Sequence, residues 1–110
     1  MQILNMERGE VWLVELDPVK GSEQRGSRPC VIVSHDSMNK ALSTIVVVPL
    51  TTKNKNWPSR VDVNFRGRMG QALCEQIRTV SKSRLTQHAG TLNLKEIVEI
   101  RIVLRQLFFD

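Results

Sequence analysis

Three stretches of this chain are dense in β-branched and apolar residues: EVWLVEL (10–16), PCVIVS (29–34) and STIVVVPL (43–50). The connections between them are short and polar. A crossover between parallel strands needs a dozen or more residues, usually as a helix, whereas antiparallel neighbours need only a turn. Segment 17–28 (DPVKGSEQRGSR) lacks hydrophobic periodicity and is broken by Pro18, Gly21 and Gly26, and 35–42 is long enough for one short helical turn. The three stretches are therefore expected to pair as antiparallel strands.

The rest of the chain fits that frame. RVDVNF (60–65) alternates polar and apolar residues, as a half-buried strand does. Arg66–Gly70 reads as a glycine-containing turn, Gln71–Arg78 as a fifth strand and Ser81–Leu85 as one helical turn. A long helix closes the sequence. Asn93 is placed to cap it, with Glu96 three residues on in a capping-box arrangement. Ile97, Ile100, Leu104, Leu107 and Phe108 recur at helical spacing on one face. Val98, Ile102 and Phe109 add apolar surface beyond that face, which suits either deep packing on the sheet or contact with a second subunit. The expected fold is mainly β with a C-terminal helix: a small, antiparallel, barrel-like domain.

At 110 residues the chain is expected to form a single domain, 1–110, with ordinary globular composition (41% hydrophobic, 25% charged). No apolar run is long enough to span a membrane, and the first residues lack the apolar stretch of a signal peptide, so a cytoplasmic location is expected. Cys30 and Cys74 form no CxxC and suggest neither a disulfide framework nor a zinc site.

Charge is unevenly placed. The formal net charge is +5, yet residues 1–17 carry four acids against Arg8 alone. The cations collect in 53–68 (Lys53, Lys55, Arg60, Arg66, Arg68 against Asp62) and in 78–94 (Arg78, Lys82, Arg84, with no acid). A basic middle suits a polyanion such as nucleic acid. Motifs for a nucleotide cofactor or a metalloprotease are absent, and His35 and His88 are solitary, so no cofactor or metal is expected.

Two polar segments have the residue types for phosphodiester chemistry. The first places Glu23, Arg25 and Arg28 just before an apolar strand. Arginine grips phosphate oxygens through paired hydrogen bonds, and a carboxylate can take the proton of an attacking hydroxyl. In the second, Thr51 and Thr52 emerge at a strand end beside Lys53 and Lys55, followed by Trp57. The hydroxyls suit phosphate oxygens, and the indole is available either to stack on a base or to pack across the loop.

These segments carry a family resemblance. RGEVWLVELDP (8–18), KGSEQRGSRPCVIVS (20–34), VVVPLTT (46–52) and CEQIRTVSKSRL (74–85) occur in the order found in the MazF/PemK/Kid family of toxin endoribonucleases, which the sequence resembles over nearly its whole length. Members often begin near the position of Met6, so residues 1–5 are expected to be either an extension or a start-site choice. The resemblance implies an SH3-like antiparallel β-barrel of the MazF/PemK/CcdB-like toxin fold, acting as a homodimer. It implies metal-independent, sequence-specific cleavage of single-stranded RNA, leaving 2′,3′-cyclic phosphate and 5′-hydroxyl ends. It also implies a cognate antitoxin with an acidic disordered segment, and contact with operator DNA only together with that antitoxin.

By motif, Arg28 and Thr51 match the family's catalytic pair and Glu23 the proposed general base. Arg28 is also suggested as donor to the leaving 5′-oxygen, with water the alternative because the guanidinium is a weak acid. Arg25, Thr52, Lys53, Lys55, Trp57, Arg60 and Arg84 are the candidate RNA contacts. Another branch of the family uses a His–Arg–Asp set, but those positions are Ser22, Leu73 and Glu75 here. Two rival readings share the fold: a gyrase poison acting by protein contact, whose Trp-Gly-Ile ending is replaced here by Leu107-Phe108-Phe109-Asp110, and a non-catalytic RNA-binding barrel.

Overall fold

The computed structural model describes residues 5–16 and 26–109. Seven strands, rather than the five expected, build an antiparallel sheet. They are β1 (Glu10–Glu15), β2 (Ser27–Ile32), β3 (Thr44–Thr51), β4 (Arg60–Phe65), β5 (Arg68–Leu73), β6 (Arg78–Ser81) and β7 (Leu85–Thr91). A short helix α1 (Asp36–Ala41) joins β2 to β3, and α2 (Leu94–Phe108) ends the fold. The strand order is β4-β5-β3-β2-β1-β7, with β6 also pairing to β3. The sheet curls into a half-barrel whose edge strands, β4 and β7, are not hydrogen-bonded to each other. Side chains close part of the gap: the Phe65 ring lies so near Gly90 that a Cβ there would sit 2.9 Å from Phe65 Cε1.

The alternation of β1, β2 and β3 explains why these strands read as nearly continuous apolar runs, for both their faces are buried. Val11, Val31, Val48 and Leu50 point to one cluster, which β4, β5 and Ile100 of α2 complete. Trp12, Val14, Cys30, Ile32, Ile45 and Val47 point to the other. A strand buried on both faces loses its polar alternation.

The helix begins as its sequence dictates. Asn93 Oδ1 accepts from Glu96 N at 2.8 Å and Glu96 Oε1 accepts from Asn93 N at 3.0 Å. Glu96 Oε2 also accepts from Asn64 N at 2.7 Å, which ties the start of α2 to β4 and accounts for a carboxylate this buried. Ile97, Ile100, Val103 and Leu104 face the core. Leu107 and Phe108, expected on that face, are instead exposed, together with Val98, Ile102 and Phe109.

Two other corrections concern strand limits. The stretch 71–78 is two strands, because a 3-10 turn at Cys74–Gln76 ends pairing with β4 before β6 turns to β3. The β4–β5 turn is only Arg66–Gly67, so Arg68 and Met69 already belong to a strand.

Candidate functional site: a cationic groove at the end of β3

The β2–β3 ladder pairs Cys30 with Pro49, Val31 with Val48 and Ile32 with Val47. Continued by two residues, that register sets Arg28 opposite Thr51. On the other side Thr51 pairs with Gln71 of β5, and Gln71 with Asp62 of β4. Directly paired residues in an antiparallel sheet share a face. Arg28, Thr51, Gln71 and Asp62 thus form one polar row across four strands.

Three of its members are held by hydrogen bonds. Thr51 Oγ1 accepts from Lys53 N at 3.1 Å, which keeps its hydroxyl proton for an outside acceptor. The buried Gln71 side chain acts as a clip: its Oε1 accepts from Lys55 N at 2.9 Å, and its Nε2 donates to Lys55 O and to Asp62 Oδ1, both at 3.0 Å. The 52–58 segment is thereby fastened beside the row. Gly70 lets β3 and β5 approach this closely, since a Cβ there would collide with the Thr51 carbonyl oxygen. Sequence reasoning passed over both Gln71 and Gly70; the only signal for either was a glycine beside a glutamine inside a strand.

Next to the row opens a groove of about 540 Å³. Its floor is apolar, made by Leu13, Pro29, Leu50, Val63, Phe65 and Ala89. Its rim carries Arg28, Thr51, Thr52 and Lys53, and also Arg66 and Arg68 from the β4–β5 hairpin. Four cations and no carboxylate line it among the described residues. Like charges gathered beside a low-dielectric wall raise the local concentration of anions. The two hairpin arginines were missed because Arg66–Gly70 reads as a turn.

The remaining candidates lie elsewhere. Glu23 and Arg25 fall outside the described residues. Trp57 is half-exposed in the 52–58 segment, with Arg60 Cζ 4.4 Å and Lys55 Nζ 5.7 Å from its ring centroid. Arg60, expected as an RNA contact, is committed within the fold: Nη2 lies 2.7 Å and Nε 2.8 Å from Glu75 Oε2. Burial pushes the Glu75 carboxyl up, but hydrogen bonds from Arg60 and Ser59 outweigh it and hold the group below its ordinary value. Arg84 Nη1 donates to Glu15 O at 2.9 Å and Arg78 Nη2 to Leu16 O at 3.1 Å, so both fasten the end of β1. Lys55, Trp57, Arg60 and Arg84 do not line the groove.

His35 caps α1 and His88 packs on Trp12, and neither lines the groove. Cys30 and Cys74 are free and buried, and burial pushes each thiol up to about 12. Among the described residues no three His, Cys, Asp or Glu side chains gather as metal ligands, and no helix is long and apolar enough to cross a membrane.

An open β half-barrel whose groove is rimmed by a hydroxyl and arginines, with no carboxylate among the described residues, has the chemistry to receive a polyanion. Its family is specific. Residues 7–108 match the PemK-like, MazF-like toxins of type II toxin–antitoxin systems, and the chain belongs to that family. It is 39% identical over 101 residues to the Endoribonuclease MazF of Staphylococcus saprophyticus, covering 86% of this chain and 84% of that protein. It is 35% identical over 105 residues to Endoribonuclease MazF9 of Mycobacterium tuberculosis, covering 86% and 89%. Among solved structures, MazE–MazF of Deinococcus radiodurans (form III) shares the fold with a TM-score of 0.81 at 22% identity, over 94% of this chain and 96% of that one. An endoribonuclease in complex with its cognate antitoxin, from mycobacterial species, shares it with a TM-score of 0.79 at 24% identity, again over 94% and 96%.

Proposed function

We propose that this chain is the toxin of a toxin–antitoxin pair and acts as a metal-independent endoribonuclease on single-stranded RNA. The observation that supports the chemistry is a groove lined by Arg28, Thr51 and three further cations, with no acid among the described residues, where the β2–β3 register continued by two residues sets Arg28 opposite Thr51. The curated relatives named Endoribonuclease MazF support the activity.

The reaction follows from what these groups do. The substrate 2′-oxygen attacks the adjacent phosphorus, and its proton passes to Glu23. The new 2′-O–P bond forms as the P–O5′ bond breaks, leaving a 2′,3′-cyclic phosphate. Arg28 stabilises the charge that builds on the phosphoryl oxygens, and the Thr51 hydroxyl donates to one of them. The leaving 5′-oxygen takes its proton from water, because a guanidinium is too weak an acid. The attacking oxygen belongs to the substrate, so no bound water need be activated.

Two partners accompany this reading. The exposed side of α2 bears Val98, Ile102 and Phe108, which line an apolar groove of about 700 Å³ with Val33, Met38 and Ile77. A second copy of the chain covers this face in a homodimer. The cationic groove suits an acidic antitoxin segment that folds on binding and blocks RNA. The MazE–MazF and endoribonuclease–antitoxin structures of the same fold support such a partner.

Incubating the purified protein with a long RNA, with and without EDTA, tests the function. Cleavage in both, giving cyclic-phosphate and 5′-hydroxyl ends, is expected. Arg28→Ala should lower the rate by about 10²–10³-fold, the scale of losing one preorganised donor. Intact RNA under both conditions, or near-normal cleavage by Arg28→Ala, would refute the assignment.

A further inference from the structure

The β4–β5 hairpin ends in a two-residue turn with φ of 55° at Arg66 and 76° at Gly67. Two positive φ values between paired strands make a type I′ turn, whose first position favours asparagine or glycine. Arg66 is the one non-glycine among the described residues with positive φ. A long cation in place of the preferred small residue keeps a strained backbone without local benefit, and such strain concentrates at functional sites. The side chain reaches the groove: Arg66 Cζ lies 5.7 Å from the centroid of the Phe65 ring, and both residues line the cavity with Arg68 and Met69. Arg28 and Lys53 line the same cavity, and its floor is apolar.

Resting on the ribonuclease reading above, we propose that the hairpin tip is a nucleotide subsite for the substrate strand beside the cleaved step. Phe65 receives a base, and Arg66 and Arg68 hold its phosphate. The chemistry selects this occupant. A base has a flat apolar face for the floor, and a phosphate matches a cationic rim that carries no acid among the described residues.

The test sets stability against binding. Arg66→Asn installs the residue that the turn prefers, so the melting temperature should rise by about 2–5 °C. Affinity should move the other way. For a single-stranded RNA made uncleavable by one 2′-deoxy residue, fluorescence anisotropy should show Kd raised about fivefold to tenfold at 0.1 M salt, with the salt slope flattened by about 0.7. Arg68→Gln, on ordinary strand backbone, should weaken binding similarly without the gain in melting temperature. Lys40→Gln, which removes the same charge from α1 at the other end of β3, should leave Kd within about twofold.

Unchanged Kd in both hairpin variants would overturn the subsite. So would RNA binding that is unchanged while an acidic peptide from the antitoxin binds more weakly, since the tip would then serve a protein. Because the probe is uncleavable, the readout is independent of catalysis. Absence of cleavage by the wild-type protein would defeat the ribonuclease reading while leaving the binding result to stand by itself.

Discussion

Gly70 joins the fold to the groove, and replacing it with alanine tests both. A methyl group there is driven into the Thr51 carbonyl oxygen, with the Thr51 carbonyl carbon at 3.3 Å and Thr52 Cα at 3.7 Å. All three atoms are main chain, so no rotamer change makes room. The φ of Gly70 is not in the left-handed region, which makes the collision, rather than backbone strain, the source of the effect. Relief requires β3 and β5 to part, and their ladder is only two pairs long, Leu50–Ala72 and Thr51–Gln71. Each hydrogen bond lost costs about 1 kcal/mol, and overpacked sites cost about 1–3 kcal/mol. A total of about 2–3 kcal/mol is expected, a substantial share of the roughly 5–15 kcal/mol that holds a domain together. Thr51 moves with its carbonyl. Since a displacement of about 1 Å in a reacting group costs about 10²-fold in rate, a partial shift should slow RNA cleavage by about tenfold or more. Urea denaturation reads the first effect and single-turnover cleavage of a short RNA the second. Gly67→Ala separates the two causes. Nothing lies within 4 Å of its Cβ, but φ is +76°, so it should cost about 1 kcal/mol through backbone strain alone. A Gly70→Ala protein within about 0.5 kcal/mol of wild type that cleaves RNA at the wild-type rate would refute the close approach of the two strands.

Gln71→Leu keeps the side-chain bulk but removes the clip on Lys55 and Asp62; about 2 kcal/mol of stability should be lost, and trypsin should cut the native protein at Lys53 or Lys55. Equal trypsin resistance in the two proteins would show that the 52–58 segment is held by other means. Glu75, lowered below its ordinary 4.5 by Arg60 and Ser59 against the pull of burial, stabilises the fold above that pH and loses its contribution as pH falls through its folded value. The stability gap between wild type and Glu75→Gln should therefore be widest near neutral pH and narrow in acid; a gap independent of pH counts against the ion pair. Cys30 and Cys74, with thiols raised to about 12 by burial, should ignore a thiol reagent at mildly alkaline pH until the protein is unfolded. Rapid labelling of either in the native protein contradicts that burial.

The parts of this fold legible in the sequence are those whose local chemistry agrees with their tertiary role. The interiors of Glu10–Glu15 and Thr44–Thr51 are apolar and contribute to both faces of the sheet. The capping box of α2 is written in Asn93 and Glu96 and forms as written. β7 went unread because LTQHAGT has no apolar alternation: only Leu85 and Ala89 are buried in it. It is an edge strand held by backbone pairing to β1, with irregular register at two points. Arg28 and Thr51 were identified by motif; the β2–β3 register, continued beyond its last pair, sets them opposite each other. Arg60 looked like a free cation because its partner, Glu75, is distant in sequence. Arg66 and Arg68 were hidden because a two-residue turn and a strand start look alike in a Gly-rich stretch.

The position of β3 has a consequence for how this protein comes apart. One edge of β3 is paired with β2; its other edge is divided, with Thr44–Val47 given to β6 and Leu50–Thr51 to β5. Its side chains enter both apolar clusters. No foldon can therefore detach along this strand and leave the remainder native, for releasing either cluster strips hydrogen bonds from the other. The amides of Ile45, Val47 and Val48 should exchange with solvent only through global opening, whereas those in the last turn of α2 exchange by local fraying. Thr51 terminates this strand, so the groove is expected to share its cooperativity and to be lost in a single step with the folded chain.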